Sequence, residues 1–478
     1  MMFELLDKTG IMQIVETSYR ILEEIGIEIG EGRVWDMLRD KSCTVRNGRT
    51  LIPRDLIQKT IVKVPAKYKV WSRDLRYSIE LGGDDILIHN FGGAPYVIDT
   101  EKKERRPATL QDVADMTRLL DALSNVHSVT SLFVPPGIPQ SEISARLAAT
   151  LQHNTTKPIY GSGLNYPFEV DAVCRIMAAP VGGMEALVEK PRLTVCVSPI
   201  SPLKFPAAVA ETIARVAEIG LPVGILPCPI PGVSAPITLA GGLALQHAEN
   251  LAGIVIAQLM RPGVPCLYHS RLSIPDARKA VGAGGSPEMG MAGAAAAQLA
   301  KHHRIPCDVY GVCTSSKMLD AQAGFENALN GILPVLINAD QISGVGILED
   351  GMSGAYDHVV MDNEIYGELL HIRRGIKVNA ATLAFDAIRD AVAQKQEFYM
   401  LTHTIEQLRA GALYEPALAH RGYWDAWVTE GKKSYTEYAN ERVREILTSH
   451  QVPALPDDVV KEIEEVIEET RRAHASVD

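Results

Sequence analysis

The sequence predicts an α/β protein built on a (β/α)8 TIM barrel, with a helical N-terminal module and a helical C-terminal extension. Two observations carry this. Short apolar runs, each bounded by Gly or Pro and apolar on both faces, recur between residues 86 and 348, as strands buried in a parallel sheet must. Between them lie longer stretches at helical spacing, and eight strands with crossover helices are the arithmetic of a closed barrel rather than an open doubly wound sheet.

Residues 1–70 read as the N-terminal module. Ile11, Ile14, Val15, Ile21, Leu22 and Ile25 fall at helical spacing and Gly26 supplies a stop. A second short helix is expected around Val34–Leu38, and another apolar-periodic piece follows Leu51-Ile52-Pro53 and runs through Ile61. The barrel is expected over 71–377, with strands at Ile86–Asn90, Ser128–Val134, Pro158–Gly163, Leu193–Pro199, Pro222–Pro227, Val264–Ser270, Pro306–Val312 and Ile342–Leu348. Thr109-Leu110-Gln111-Asp112 resembles a capping box with Asp in place of Glu. Ser286-Pro287-Glu288 offers a cap, a Pro at the first helical position and an acid in the first turn. Thr238 opens a helix expected to run to Met260, ended by Arg261-Pro262-Gly263. Residues 378–478 form the extension. It ends in an amphipathic helix after Pro456, with Val459, Val460, Ile463, Val466 and Ile467 on one face, expected to cover the barrel or to pack on a second subunit. A homo-oligomer is therefore expected.

Composition narrows the function. The 478 residues carry a net charge of −11, which argues against a nucleic-acid partner. No apolar run is long enough to span a bilayer, and MMFELLDKTG lacks the basic and apolar regions of a signal peptide. Seven cysteines, none in a CxxC pair, fit a reduced cytoplasmic compartment.

Barrel chemistry sits where strands end at their C-terminal edge. Those junctions are rich in Gly and Pro, as in Asn90-Phe91-Gly92-Gly93 and Ser198-Pro199-Ile200-Ser201-Pro202. Gly161-Ser162-Gly163 and Gly282-Ala283-Gly284-Gly285 lack the strand and helix context of a dinucleotide turn, and no phosphate-binding P-loop is present. Cys196, Cys228, Cys266, Cys307 and Cys313, with His269, offer the ligand types of a zinc site, but buried small hydrophobes are the simpler role and no metal site is expected. His247, Glu249 and Asn250 occupy adjacent angular positions in an otherwise apolar helix, so Glu249 must pair or line a cavity. Glu349 and Asp350, at the end of the last strand, are a like-charge pair suited to a cationic ligand or to a solvated loop.

Several longer motifs then resemble the trimethylamine–corrinoid methyltransferase family. They are Asn154-Thr155-Thr156-Lys157-Pro158, Ser198–Leu203, Ser234–Gly253, Gly285–Glu288, Ser316-Lys317 with Asp320, Gln322, Ala323, Gly324 and Glu326, and Met361–Ile365. His403-Thr404, Leu408-Arg409, and Trp427 with Gly431 extend the likeness, which covers roughly residues 5–470. The resemblance implies a barrel enzyme that moves a methyl group from a methylated amine to cobalt(I) of a separate corrinoid protein, with no cofactor bound permanently. Archaeal trimethylamine enzymes of the family carry pyrrolysine, expected to map near Gly344–Glu349, whereas this chain has standard residues throughout. It thus resembles the branch acting on quaternary amines, with glycine betaine the expected donor and dimethylglycine the product. Proline betaine, carnitine, γ-butyrobetaine and choline are the alternatives of the same class; a barrel that binds methylated amines without turnover, and a zinc-dependent thiol methyltransferase, are those of other classes.

A quaternary ammonium is held against aromatic faces with acidic support. Phe91, Tyr96, Phe133, Tyr160, Tyr268 and Tyr356 lie at or near strand ends, with Glu249, Glu349 and Asp350 as acids. A betaine carboxylate needs a cation or paired donors, for which Arg271, His269, Lys317 and His358 are the candidates.

Overall fold

The computed structural model describes residues 3–279 and 281–477. Seven parallel strands are β1 (Leu87–Asn90), β2 (Ile159–Gly163), β3 (Leu193–Val197), β4 (Val223–Ile225), β5 (Cys266–Ser270), β6 (Cys307–Tyr310) and β7 (Gln341–Val345), paired in the order β1-β7-β6-β5-β4-β3-β2. Residues 128–133 take the eighth position and close the ring through single bridges, Ser128 to His89 and Val129 to Ile159. The strand expected at Ser128–Val134 is thus an extended segment without a regular ladder. The Asn90 side chain explains this: its Nδ2 donates to the Thr130 carbonyl (2.9 Å) and its Oδ1 accepts from Thr130 N (2.9 Å), taking the place of backbone pairing.

Every strand position is followed by its crossover helix, from Leu110–Ala122 after β1 to Tyr356–Arg374 after β7. Thr109 and Asp112 form the expected capping box. Ser286 stands at the N-cap before Pro287 but makes no side-chain cap bond, a departure from the expectation. Gly344 lies at φ +124° where β7 bulges, and a Cβ there would meet the Val312 carbonyl at 2.0 Å.

Alternation along each strand sorts side chains into two layers. Ile88, Ile159, Val195, Val223, Tyr268 and Val309 face the helices. Leu87, Tyr160, Cys196 and Leu267 join a second, inner core. The N-terminal end of that interior is plugged by a hairpin, Tyr68–Trp71 with Ser78–Leu81, whose Tyr68 hydroxyl meets Thr194 Oγ1 at 3.2 Å. The hairpin was not foreseen, and the border expected at residue 70 falls inside it.

The helix Leu239–Met260 is buried on all sides from Gly242 to Gln258 because the N-terminal helices Lys8–Arg20 and Arg54–Ile61 cover its outer face; Ser18 Oγ donates to the Ala244 carbonyl at 2.8 Å. At the other end of the chain, Asp457–His474 lays Ile463, Val466 and Ile467 on Pro167–Ala178 and Ile143–Asn154. That apolar face covers the barrel of its own chain, the first of the two roles expected for it. Among the described residues no helix is long and apolar enough to cross a membrane.

Candidate active site

Asp308 on β6 is the hub of the barrel interior. It accepts from Arg271 Nη2 and sits 3.1 Å from His89 Nε2 and 3.5 Å from His269 Nε2, with all four side chains buried. Burial by itself would raise its pKa, but Arg271 and His89 hold the carboxylate well below the usual range. Burial works against the Arg271 charge in the same way, and Asp308 reverses the effect, so the guanidinium is held charged. His269 is driven down to about 3, chiefly by desolvation, and is neutral at physiological pH. The cluster therefore pairs one cation with one anion inside a low-dielectric wall.

Neighbours fix the geometry. Tyr160 stacks on His89 at 4.0 Å between centroids, and its hydroxyl lies 3.4 Å from Arg271 Nη2. His269 Nδ1 donates to the Ile225 carbonyl at 2.9 Å, which leaves Nε2 facing Asp308 and, at 3.7 Å, Cys196 Sγ. Asn250 grips the His269 backbone from outside, accepting from its N–H at 3.1 Å and donating to its carbonyl at 2.9 Å. Gly224 keeps the space open, since a Cβ there would meet His269 Cε1 at 2.5 Å.

Toward the C-terminal edge the Arg271 guanidinium lies over Tyr310, 4.5 Å from the ring centroid. Tyr310, Phe91 and Leu226 are half-buried, and Cys228 is exposed. Yet desolvation lifts the Cys228 thiol to about 11 against the opposing charge of Arg271. These residues form the C-terminal mouth of the barrel, above the cluster. Such a mouth offers aromatic surface, a fixed guanidinium for a carboxylate, and no uncompensated positive charge to repel a cation. A separate cavity of about 830 Å³ lies at the opposite, N-terminal end among Lys69, Asp85, His127, Lys157 and Arg374, away from this chemistry.

Comparison with known proteins decides the family. The trimethylamine methyltransferase (MTTB) family profile matches residues 1–475. The chain is 31% identical over 456 residues to the trimethylamine methyltransferase MttB of Desulfitobacterium hafniense DCB-2, covering 95% of this chain and 91% of that protein. It is 31% identical over 465 residues to the glycine betaine methyltransferase of Desulfitobacterium hafniense Y51, covering 96% and 95%. The chain belongs to the trimethylamine methyltransferase family. Among solved structures, the monomethylamine methyltransferase of Methanosarcina barkeri is similar with a TM-score of 0.49 at 14% identity, over 98% of this chain and 94% of that one.

In this methyltransferase, Tyr160, His269 and Arg271 come together in the barrel interior, while Phe91 packs beside Tyr310 on Met289, Cys313 and Ile347. Other candidates do not join them. Tyr268 neighbours His269 on β5 and so points outward, its hydroxyl 3.1 Å from His247 Nδ1. Phe133 lies in the outer core, 6.4 Å from the Tyr356 ring, whose hydroxyl donates to Asp112 at 3.0 Å. His358 is buried between helices beside Asn327 (3.2 Å) and Asp362. Glu249 takes the pairing alternative, accepting from Ser201 Oγ (2.8 Å) and Leu203 N (2.7 Å). Lys317 is exposed and donates to the Ser315 carbonyl.

Glu349 and Asp350 tie mouth loops together. Glu349 accepts from Arg105 Nη1 at 2.9 Å and from Ser353 Oγ at 2.7 Å, and the same Arg105 covers the face of Tyr96 at 4.4 Å. Asp350 accepts from Gly284 N and Ser315 Oγ, both at 2.6 Å. Both carboxylates and the Tyr96 face are thus occupied by groups of the chain itself. The cysteines weighed for zinc lie in different layers: Cys266 and Cys307 point outward, Cys196 joins the inner core, and among the described residues no group of three or more His, Cys, Asp or Glu side chains is arranged to hold a metal ion. Sequence reasoning missed Asp308, His89 and Tyr310. The available signal was an ionisable side chain inside each of two strands otherwise fit for a dry sheet.

Proposed function

We propose that this methyltransferase transfers a methyl group from glycine betaine to cob(I)alamin carried by a separate corrinoid protein, releasing dimethylglycine. The observation that carries this reading is Arg271, a guanidinium fixed by Asp308 and stacked on Tyr310 toward the C-terminal edge of the barrel. Trimethylamine has no group for such a cation; a betaine carboxylate does. With the carboxylate on Arg271, the ammonium end lies toward the mouth, where Phe91 offers an aromatic face and Asp308 cancels the repulsion.

The chemistry asks little else of the chain. The N–CH3 bond breaks with its electron pair left on nitrogen, giving a neutral tertiary amine that needs no proton, while the cobalt reagent supplies the pair for the new bond. The protein's work is to orient the bond and exclude water. The methyl acceptor enters as a substrate with its own protein, so no resident cofactor is required. A cytoplasmic setting suits the cysteines, all seven of which are free.

Proline betaine, carnitine and γ-butyrobetaine share the carboxylate, and choline does not. Mixing enzyme, cob(I)alamin and each donor, with absorbance reporting methylcobalamin, tests the reading. Turnover is expected with glycine betaine and weak or absent turnover with choline and trimethylamine. Tight betaine binding without cobalt methylation, even with the cognate corrinoid protein, selects a non-catalytic binding barrel instead.

A further inference from the structure

The chain leaves β7 on a backbone that most residues avoid. Five of the eight residues from Gly344 to Gly351 lie at positive φ, and two of them, Glu349 (+52°) and Asp350 (+55°), carry side chains. Such a backbone persists only where its surroundings hold it, and it gathers at functional sites. Two aromatics of the mouth rest on this segment. Phe91 N donates to the Val345 carbonyl at 2.9 Å, and a Cβ on Gly351 would meet the Phe91 ring at 2.9 Å. Ile347 packs beside Phe91 and Tyr310, and Tyr310 carries the Arg271 guanidinium on its face.

Behind the segment lies a buried polar network outside the donor pocket. Asp362, in helix Tyr356–Arg374, accepts from Gly346 N at 2.8 Å and from Asn327 Nδ2 at 2.6 Å. His358, one turn earlier, has its Nε2 3.2 Å from the same Asn327 amide and 3.5 Å from Asp362. All three side chains are fully buried, and Asn327 Oδ1 has no hydrogen-bond partner. Folding alone gives no reason for this, since apolar residues of like volume would fill the space without an orphaned group. The titratable groups around Asp362 are His358, which burial keeps neutral, with Cys313, Tyr366 and Tyr435. Among the described residues no cation faces it. Burial raises its pKa to about 8, against the Gly346 and Asn327 bonds, so the group is a neutral acid at pH 7.

We propose that Asp362 is a positioning residue for methyl transfer: through Gly346 N it sets segment 345–351, and with it the aromatic faces of Phe91 and Tyr310. The inference rests on the reading of Arg271 and these aromatics as the donor site. A donor held by Arg271 at its carboxylate can still swing, and the ring faces fix where its N–CH3 bond points. Misplacing a reacting bond by about 1 Å costs about 100-fold in rate. Asp362 bonds neither Arg271 nor Asp308, so its loss is expected in kcat rather than in KM. Ionisation acts on the same link. The folded pKa lies above the ordinary 3.8, so this contribution to stability is full below 3.8 and is lost as pH rises through about 8. A carboxylate there has no counter-charge and is drawn toward water, which releases Gly346 N.

Two substitutions in the full chain test this. Asp362→Asn keeps an acceptor for Gly346 N without a charge, and Asp362→Leu removes the acceptor at similar volume. With cob(I)alamin as methyl acceptor, Asp362→Leu is expected to lose about 100-fold in kcat, with KM within about threefold of wild type. Its amides 345–351 are expected to exchange about tenfold faster, with those of β3 and β4 unchanged. Asp362→Asn is expected to keep kcat within about threefold at pH 7. Wild-type kcat is expected to fall above about pH 8, and that of Asp362→Asn to stay level. Undiminished kcat in Asp362→Leu overturns the inference. So does an Asp362→Asn variant that loses as much as Asp362→Leu, or that keeps the alkaline fall. Should Asp362→Leu not fold, the two remaining pH profiles decide: a fall present in the wild type and absent from Asp362→Asn supports the inference, and any other pair overturns it. If the wild type itself methylates cobalt from no donor, the donor reading fails and this inference with it.

Discussion

Arg271 is locked to Asp308 inside the barrel, each the other's counter-charge, with Asp308 fully buried and Arg271 nearly so. Breaking such a pair leaves one buried charge bare, so Asp308→Asn is expected to lower unfolding stability by about 3–5 kcal/mol. Replacing both partners with apolar residues of similar volume is expected to be far milder. Urea titrations of the two single variants and the double variant measure the coupling.

Arg271→Lys keeps a charge but loses the planar fork that meets a carboxylate with two parallel bonds. KM for glycine betaine is expected to rise at least tenfold with kcat changed less, on the order of 1.4 kcal/mol in binding. A donor without a carboxylate is expected to show no matching loss. Steady-state methylcobalamin formation across the donor panel reads the difference, and equal effects on all donors would remove Arg271 from carboxylate recognition.

Tyr160 and Tyr268 are both buried strand tyrosines, but one faces the cluster and the other the helices. Tyr268→Phe is expected to cost about 1 kcal/mol of stability through the lost His247 bond and to leave kcat/KM within about twofold of wild type. Tyr160→Ala removes the ring stacked on His89 and is expected to depress kcat/KM strongly. Thermal melts and donor kinetics on the pair distinguish the two faces of the barrel wall.

Glu249 brings pH dependence. Burial raises its pKa from 4.5 to about 7, against the lowering effect of the Leu203 N–H and the Ser201 hydroxyl. The folded state binds the extra proton between these values, so this contribution to stability is full below 4.5 and is lost as pH rises through about 7. The loss is on the order of 3 kcal/mol. Unfolding free energies measured from pH 5 to pH 8 are expected to fall in the wild type and to flatten in Glu249→Gln; parallel slopes would show that Glu249 does not titrate there.

Much of the architecture was legible because it follows from local rules. Thr109 and Asp112 cap a helix through neighbours three residues apart, and Leu239–Met260 runs from its Thr238 cap to the stop at Arg261-Pro262-Gly263. The site was legible only in part. Arg271, His269 and Tyr160 stood out by chemistry and position, whereas Asp308 was hidden in an apolar run whose other residues needed no partner. Asn250 was visible as a misfit polar group, but its hold on the His269 backbone, nineteen residues away, was not.

The chain's own order of residues settled the barrel, its helices and the kind of chemistry, since periodicity, caps and breakers act over a few neighbours. Which side of a strand each aromatic takes is another matter. Tyr268 and His269 differ by one position and end in different layers, because register in the closed ring decides which is inside. The pairing of Glu349 with Arg105, 244 residues apart, likewise depends on where distant segments meet. Contacts of that reach are set by packing, and no short window of sequence contains them.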